Sequence, residues 1–220
     1  MFRQGDKDVI AAGTKDGSIV LLDAATLAAP LSTTKALTAP GAGFGSDALA
    51  FWQEYTPGTP DPAAVAAAQA AAQAAPAGGG GGGGRGGGGG GPAIPMIPGQ
   101  GWLLGATKNS VVAWKIVDQG GNLVLQPGWT SRALGAPPTP VIVNNVAFAV
   151  SSGKPAAAGA AGTPAVLYAL NAMTGKELWT SGTTIKAYMP GRALWTSNSQ
   201  VYVAGNDGVV YGFGFALDRK

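Results

Sequence analysis

Four stretches of the chain repeat one pattern: a short apolar run, a turn of small polar residues, and a second run rich in Val, Leu and Tyr. They are VIAAGTKDGSIVLLDA from Val9, WLLGATKNSVVAWKI from Trp102, VAFAVSSG from Val146 continued after a loop by AVLYALNA, and VYVAGNDGVVYGF from Val201. Apolar alternation with a period of two predicts half-buried strands. The turns KDG, KNS and NDG between such runs predict hairpins. A further strand is predicted before three of these hairpins, in ALAFWQEY from Ala48, PVIVN from Pro140 and RALWTS from Arg192. Tight turns at 144–145 and 197–199 join two of these strands to their hairpins.

The spacing makes the pattern a repeat. Trp102 and Val146 are 44 residues apart, and Val146 and Val201 are 43 apart once an Ala/Gly loop at 153–164 is set aside. Val9 and Trp102 are 51 apart once residues 57–98 are set aside. A period in the forties with four short strands is that of one propeller blade. The expectation is an all-β chain, a single β-propeller segment over 1–220 with about four four-stranded blades.

Residues 57–98 interrupt this pattern with Ala, Pro and Gly, 13 of the glycines lying at 78–84 and 86–91. Asp61-Pro62 resembles a helix start, so Ala63–Ala75 is a candidate short helix, but it has no apolar face to bury. The stretch reads as a flexible insert at a hairpin tip, where a long loop adds little closure entropy. Arg85 is its only charge after Asp61, too few for an RGG-type RNA-binding segment.

Composition then narrows the chemistry. Only 11% of the 220 residues are charged, and the 14 basic residues are scattered, so the net charge of +3 makes no nucleic-acid footprint. Cys and His are both absent, which excludes disulfides, thiolate or Ser-His catalysis and the common zinc sites. No apolar run is long enough for a signal peptide or a spanning helix, and no direct membrane insertion is expected.

One phrase is more specific. In LYALNAMTGKELW, Ala169, Asn171, Thr174, Gly175 and Trp179 are spaced as in the tryptophan-docking repeat, and the chain resembles the quinoprotein-type β-propeller family. Leu22-Asp23-Ala24-Ala25-Thr26 keeps half of this motif, and Ala113-Trp114-Lys115 less, with Gly128-Trp129 a possible docking pair. Asn171 suits a side-chain-capped turn and Gly175 a positive φ. Trp179 is expected to dock between blades, with ring stacking on a sugar or quinone as the alternative.

The resemblance implies two kinds of relative. Non-catalytic propellers, among them the outer-membrane β-barrel assembly lipoprotein, bind proteins. Pyrroloquinoline quinone dehydrogenases hold the quinone and Ca²⁺ near the axis and use an Asp base. Family members are commonly exported, so a periplasmic compartment is implied. Asp16 and Asp207 sit in Asp-Gly turns, Asp23 is the counterpart of Asn171, Glu177 lies in the docking phrase and Glu54 beside the insert. Each has a structural explanation, and Gly5-Asp6-Lys7-Asp8 reads as a solvated turn. The expectation is therefore a scaffold or protein-binding segment with no catalytic residue, metal or cofactor. The alternative is part of a quinone- and Ca²⁺-dependent dehydrogenase. No strand is expected before DVIAAG or after VVYGFGF, which suggests an open partial propeller that finds a protein partner, further blades or a second copy.

Overall fold

In a computed structural model, residues 1–4, 7–38, 42–58, 65–66, 69–70, 96–157, 162–198 and 200–214 are described. The chain divides into two units, residues 1–53 with 100–220, and residues 54–99. The protein is all-β, built from antiparallel sheets. Of the candidate helix 63–75, residues 65, 66, 69 and 70 are helical and the rest lie outside the described residues, as does the glycine run.

Each sheet is a meander of consecutive strands. The first runs β1 (Phe2–Gln4), β2 (Lys7–Gly13), β3 (Ser18–Asp23) and β4 (Pro30–Lys35). The second runs β5 (Phe44–Pro57), β6 (Met96–Thr107), β7 (Val111–Gln119) and β8 (Asn122–Thr130). The third runs β9 (Val141–Val143), β10 (Val146–Ser151), β11 (Val166–Asn171) and β12 (Glu177–Thr180). The fourth has β13 (Leu194–Ser197), β14 (Gln200–Ala204) and β15 (Val210–Phe213) among the described residues.

The expectation that no strand precedes DVIAAG is wrong. Phe2–Gln4 pairs with β2, Phe2 opposite Val9, and the Phe2 ring stacks on Phe51 with centroids 4.2 Å apart. Three residues with one buried side chain give no readable alternation, so the strand is set by that ring contact and by backbone pairing. The loop 153–164 is closed by a bridge between Lys154 and Thr163, while 158–161 lie outside the described residues.

Period-two alternation assigns the two faces of each middle strand to different cores. On β6 and β7, Trp102, Leu104, Val111 and Ala113 pack with Ala147, Ala149 and Leu170 of the third sheet. Leu103, Trp114 and Ile116 face the other way, onto Phe2, Val9, Ile19 and Leu21 of the first sheet. Likewise Val150 and Leu167 pack on Val201 and Val203 of the fourth. Within the larger unit each sheet thus packs on the next through its own apolar cluster. Strands buried on both faces need nearly continuous apolar sequence, which explains runs such as WLLGA and AVLYALNA. Alanines at 113, 147, 149 and 172 leave room for the large rings of Trp52 and Trp102.

A shared irregularity fixes how the sheets correspond. In the first, Val20, Leu21 and Leu22 pair with Thr33, Ser32 and Pro30. In the third, Tyr168, Ala169 and Leu170 pair with Thr180, Trp179 and Glu177. In the second, Val112 and Trp114 pair with Thr130 and Pro127. Each fourth strand therefore carries one extra residue at the same step, and the bulge makes Thr33, Thr130 and Thr180 equivalent. By the same register Trp129 and Trp179 are equivalent, and Ser32 stands where the first sheet would have its tryptophan.

Candidate functional site

The turn between β11 and β12 is held by one side chain. Asn171 Oδ1 accepts hydrogen bonds from the Met173 and Thr174 amides, each at 3.0 Å, and from the Thr174 hydroxyl at 3.1 Å. Its backbone completes the turn: the Gly175 amide donates to Asn171 O and the Asn171 amide to Lys176 O, each at 2.8 Å. Gly175 has φ +69°, a left-handed conformation that a Cβ disfavours.

The ring against that glycine is Trp129, from the preceding sheet. A Cβ on Gly175 would lie 2.6 Å from it, and the Trp129 indole donates to Ala172 O at 2.9 Å. Arg132 strengthens the same junction, pairing with Glu177 at 3.1 Å and lying 5.1 Å from the Tyr168 ring centre. The motif residues thus act across a boundary between sheets: Asn171, Thr174 and Gly175 form the seat, and a tryptophan 46 positions before Gly175 occupies it.

Trp179 faces the fourth sheet instead. It is 45% exposed and meets the Phe213 ring edge-on at 5.6 Å. Beside it opens a cleft of about 630 Å³ between the third and fourth sheets, lined mainly by Phe148, Ala169, Leu178, Trp179, Val201 and Phe213. A smaller cleft of about 420 Å³ lies between the first and second sheets, along Thr34–Thr38 and Pro127–Thr130. At this junction the tryptophan position is Ser32, and β7 runs on to Gln119, past the point where β11 turns.

No family model matches this chain, and no curated protein matches it.

Four of the acidic side chains, Asp16, Asp23, Asp207 and Glu177, are tied into turns or ion pairs. Asp23 Oδ1 caps the next turn, accepting from the Ala25 amide at 2.8 Å. Asp207 accepts from the Val209 amide at 3.1 Å and from the Tyr211 hydroxyl at 2.8 Å. Asp16 accepts from the hydroxyls of Thr14 and Ser18 and pairs with Lys35 at 3.1 Å. These contacts, Thr14 first, hold its carboxyl well below the usual carboxylate range. Glu54 lies half-buried on β5 in the smaller unit, and Asp8 is an exposed residue of β2. Among the described residues no group of three or more acids is placed so that it could hold a metal ion.

One contact escapes a reading by motif. The buried Trp52 indole donates to Asn145 Oδ1 at 3.0 Å, joining the second sheet to the β9–β10 turn. Asn144-Asn145 signals a turn in sequence, but nothing marks Trp52, 93 positions earlier, as its partner.

Proposed function

We propose that this chain is a non-catalytic segment of a quinoprotein-type β-propeller, with each sheet a blade, and that it serves as a scaffold or protein-binding module. The observation that carries the reading is the Trp129 ring of one sheet seated on the Asn171–Gly175 turn of the next. Such a dock spaces successive wedge-shaped blades, which cannot bury both faces alone. Three sheets with one bulge register, and an apolar cluster between each successive pair, support it further. Asp16, Asp23, Asp207 and Glu177 act in turns, caps and ion pairs, as a scaffold requires, and the apolar surface at Trp179 suits a protein partner.

Isothermal titration of the chain with pyrroloquinoline quinone in the presence of Ca²⁺ tests this reading. A scaffold gives no saturable heat. Micromolar, Ca²⁺-dependent binding would replace it with the dehydrogenase alternative.

A further inference from the structure

We propose that one end of the larger unit is a docking face for an acidic segment of a partner protein, whose carboxylates meet Lys15, Lys108 and Lys154. The proposal deepens the protein-binding reading above and rests on it. These lysines are far apart in sequence, and the fold gathers them. Each lies on the turn between the second and third strands of its own sheet: Lys15 between β2 and β3, Lys108 between β6 and β7, Lys154 between β10 and β11. Ala12 and Gly105 pair with the equivalent Val20 and Val112, so Lys15 and Lys108 hold the same position in the repeat.

Backbone contacts set these turns side by side at one end. On the connection from the first sheet to the second, the Ala36 and Leu37 amides donate to Gly17 O at 3.0 and 2.9 Å. That connection leads to Gly45, which lies against Thr107 O without room for a Cβ. On the next connection the Leu134 and Ala136 amides donate to Asn109 O at 2.7 Å and Lys108 O at 3.2 Å, and Gly135 O accepts from the Ser152 amide at 2.7 Å. On the third, the Met189 amide donates to Ser152 O at 2.8 Å, and Tyr188 O accepts from the Asn206 amide of the fourth sheet's turn at 3.0 Å. The lysine-bearing turns are also braced from within. The Thr14 hydroxyl donates to Ser18 O at 3.0 Å, and the Thr107 hydroxyl to Ser110 O at 3.1 Å.

Charge names the kind of occupant. All three lysines are exposed, and among the described residues their ammonium groups have no ion-pair or hydrogen-bond partner. Lys35 and Lys186 bring this end to five lysines against Asp16, Asp47 and Asp207, and Asp16 is already paired with Lys35. At the opposite end the balance reverses, with Asp8, Asp23, Asp118 and Glu177 against Lys7 and Lys176. Residues 39–41 and 158–161, outside the described residues, carry no charge. The 220 residues hold no acidic run to cover the lysines: apart from Asp6 and Asp8, no two acids lie within six positions of each other. The turns carry no aromatic ring on which a nucleic-acid base could stack. A uniformly anionic bilayer would also press on the exposed Asp16 and Asp207, whereas a peptide can space its carboxylates to miss them. Packed sheets stand about 10 Å apart, the length of about three extended residues, so an acid at every third residue suits the row. Complementary charge of this kind supplies fast association and selectivity.

The probe is a labelled synthetic peptide of repeated Glu-Ser-Gly. Fluorescence anisotropy with the full chain should show saturable binding that weakens as salt rises through about 0.1 M, where screening reaches about 10 Å. Lys15→Glu with Lys108→Glu should weaken it by about tenfold or more, with unchanged circular dichroism. Lys15→Arg with Lys108→Arg should keep it. Lys7→Glu with Lys176→Glu makes the same change in net charge at the opposite end and should leave binding within about twofold of the parent. The proposal is overturned if the peptide fails to saturate, or if the two glutamate pairs weaken it equally, since net charge alone would then explain it. Tighter binding of phosphatidylglycerol vesicles or of a single-stranded DNA oligonucleotide, lost in the Lys15 and Lys108 pair, would give the face to a membrane or a nucleic acid and also overturn it. Quinone binding by the same samples would sink the scaffold reading whatever the peptide does, whereas a silent quinone titration with no peptide binding removes only this proposal.

Discussion

Trp52 and Asn145 form a hook between the second and third sheets: a buried indole N–H and a turn amide oxygen 3.0 Å apart. Asn145 holds φ +66°, which asparagine tolerates better than most residues. Its side chain thus serves the turn and the neighbouring sheet at once. Asn145→Ala should cost about 1–3 kcal/mol from the orphaned buried donor, plus left-handed strain. Asn145→Gly relieves the strain and should cost less. Chemical denaturation of the two variants measures the difference, and equal losses would mean that the conformation of the turn contributes nothing.

Three glycines separate strain from close approach. Gly120 has φ +66° with open space around it, so Gly120→Ala should cost about 1–2 kcal/mol from conformation alone. A Cβ on Gly128 would sit 2.5 Å from the buried Trp102 ring, so Gly128→Ala should cost about 1–3 kcal/mol by overpacking. Gly175 combines both penalties and its replacement should cost the most. In a Trp129→Ala background the ring is gone, and Gly175→Ala should fall toward the Gly120 value. A double-mutant cycle with no coupling between positions 129 and 175 would show that the dock carries no energy.

Asp16 predicts an acid-sensitive turn. Its folded pKa is depressed below the ordinary 3.8 by hydrogen bonds from Thr14, then Ser18 and Lys35. A depressed carboxylate contributes stability that is present above the unfolded pKa and is lost as pH falls through the folded one. The gap in melting temperature between the parent and Asp16→Asn should therefore be constant from neutral pH down to about pH 5 and shrink below about pH 4. A gap that persists unchanged to about pH 2 would assign the effect to the shape of the side chain and not to its charge.

The hairpins were legible because two signals coincide in them, period-two apolar runs and Asp-Gly-type turns. Glu177–Thr180 is exposed throughout and is held by pairing with β11, so its alternation carries no burial signal. β1 is too short to show one. At the candidate site the turn residues Asn171, Thr174 and Gly175 were readable as a local motif. Trp129 was readable as a docking tryptophan but not as the ring seated on this turn, because it reaches Gly175 through the packing of two sheets. Residue spacing within one repeat names the seat, and only the stacking of repeats names its occupant.

The interruption between β5 and β6 yields a last prediction. These strands are hydrogen-bonded neighbours, β5 ending at Pro57 and β6 beginning at Met96. Trp52 and Trp102, one on each strand, belong to one apolar cluster of the larger unit. The fold of that unit should then need only a connection at this point and not its length. Replacing residues 59–95 with a short Asn-Gly turn shortens the loop about tenfold, which lowers its closure cost by about 2 kcal/mol. The shortened chain should keep the near-ultraviolet dichroism of its buried tryptophans and melt at the same temperature or higher. Loss of that signal, or a lower melting temperature, would mean that residues 59–95 contribute contacts to the fold.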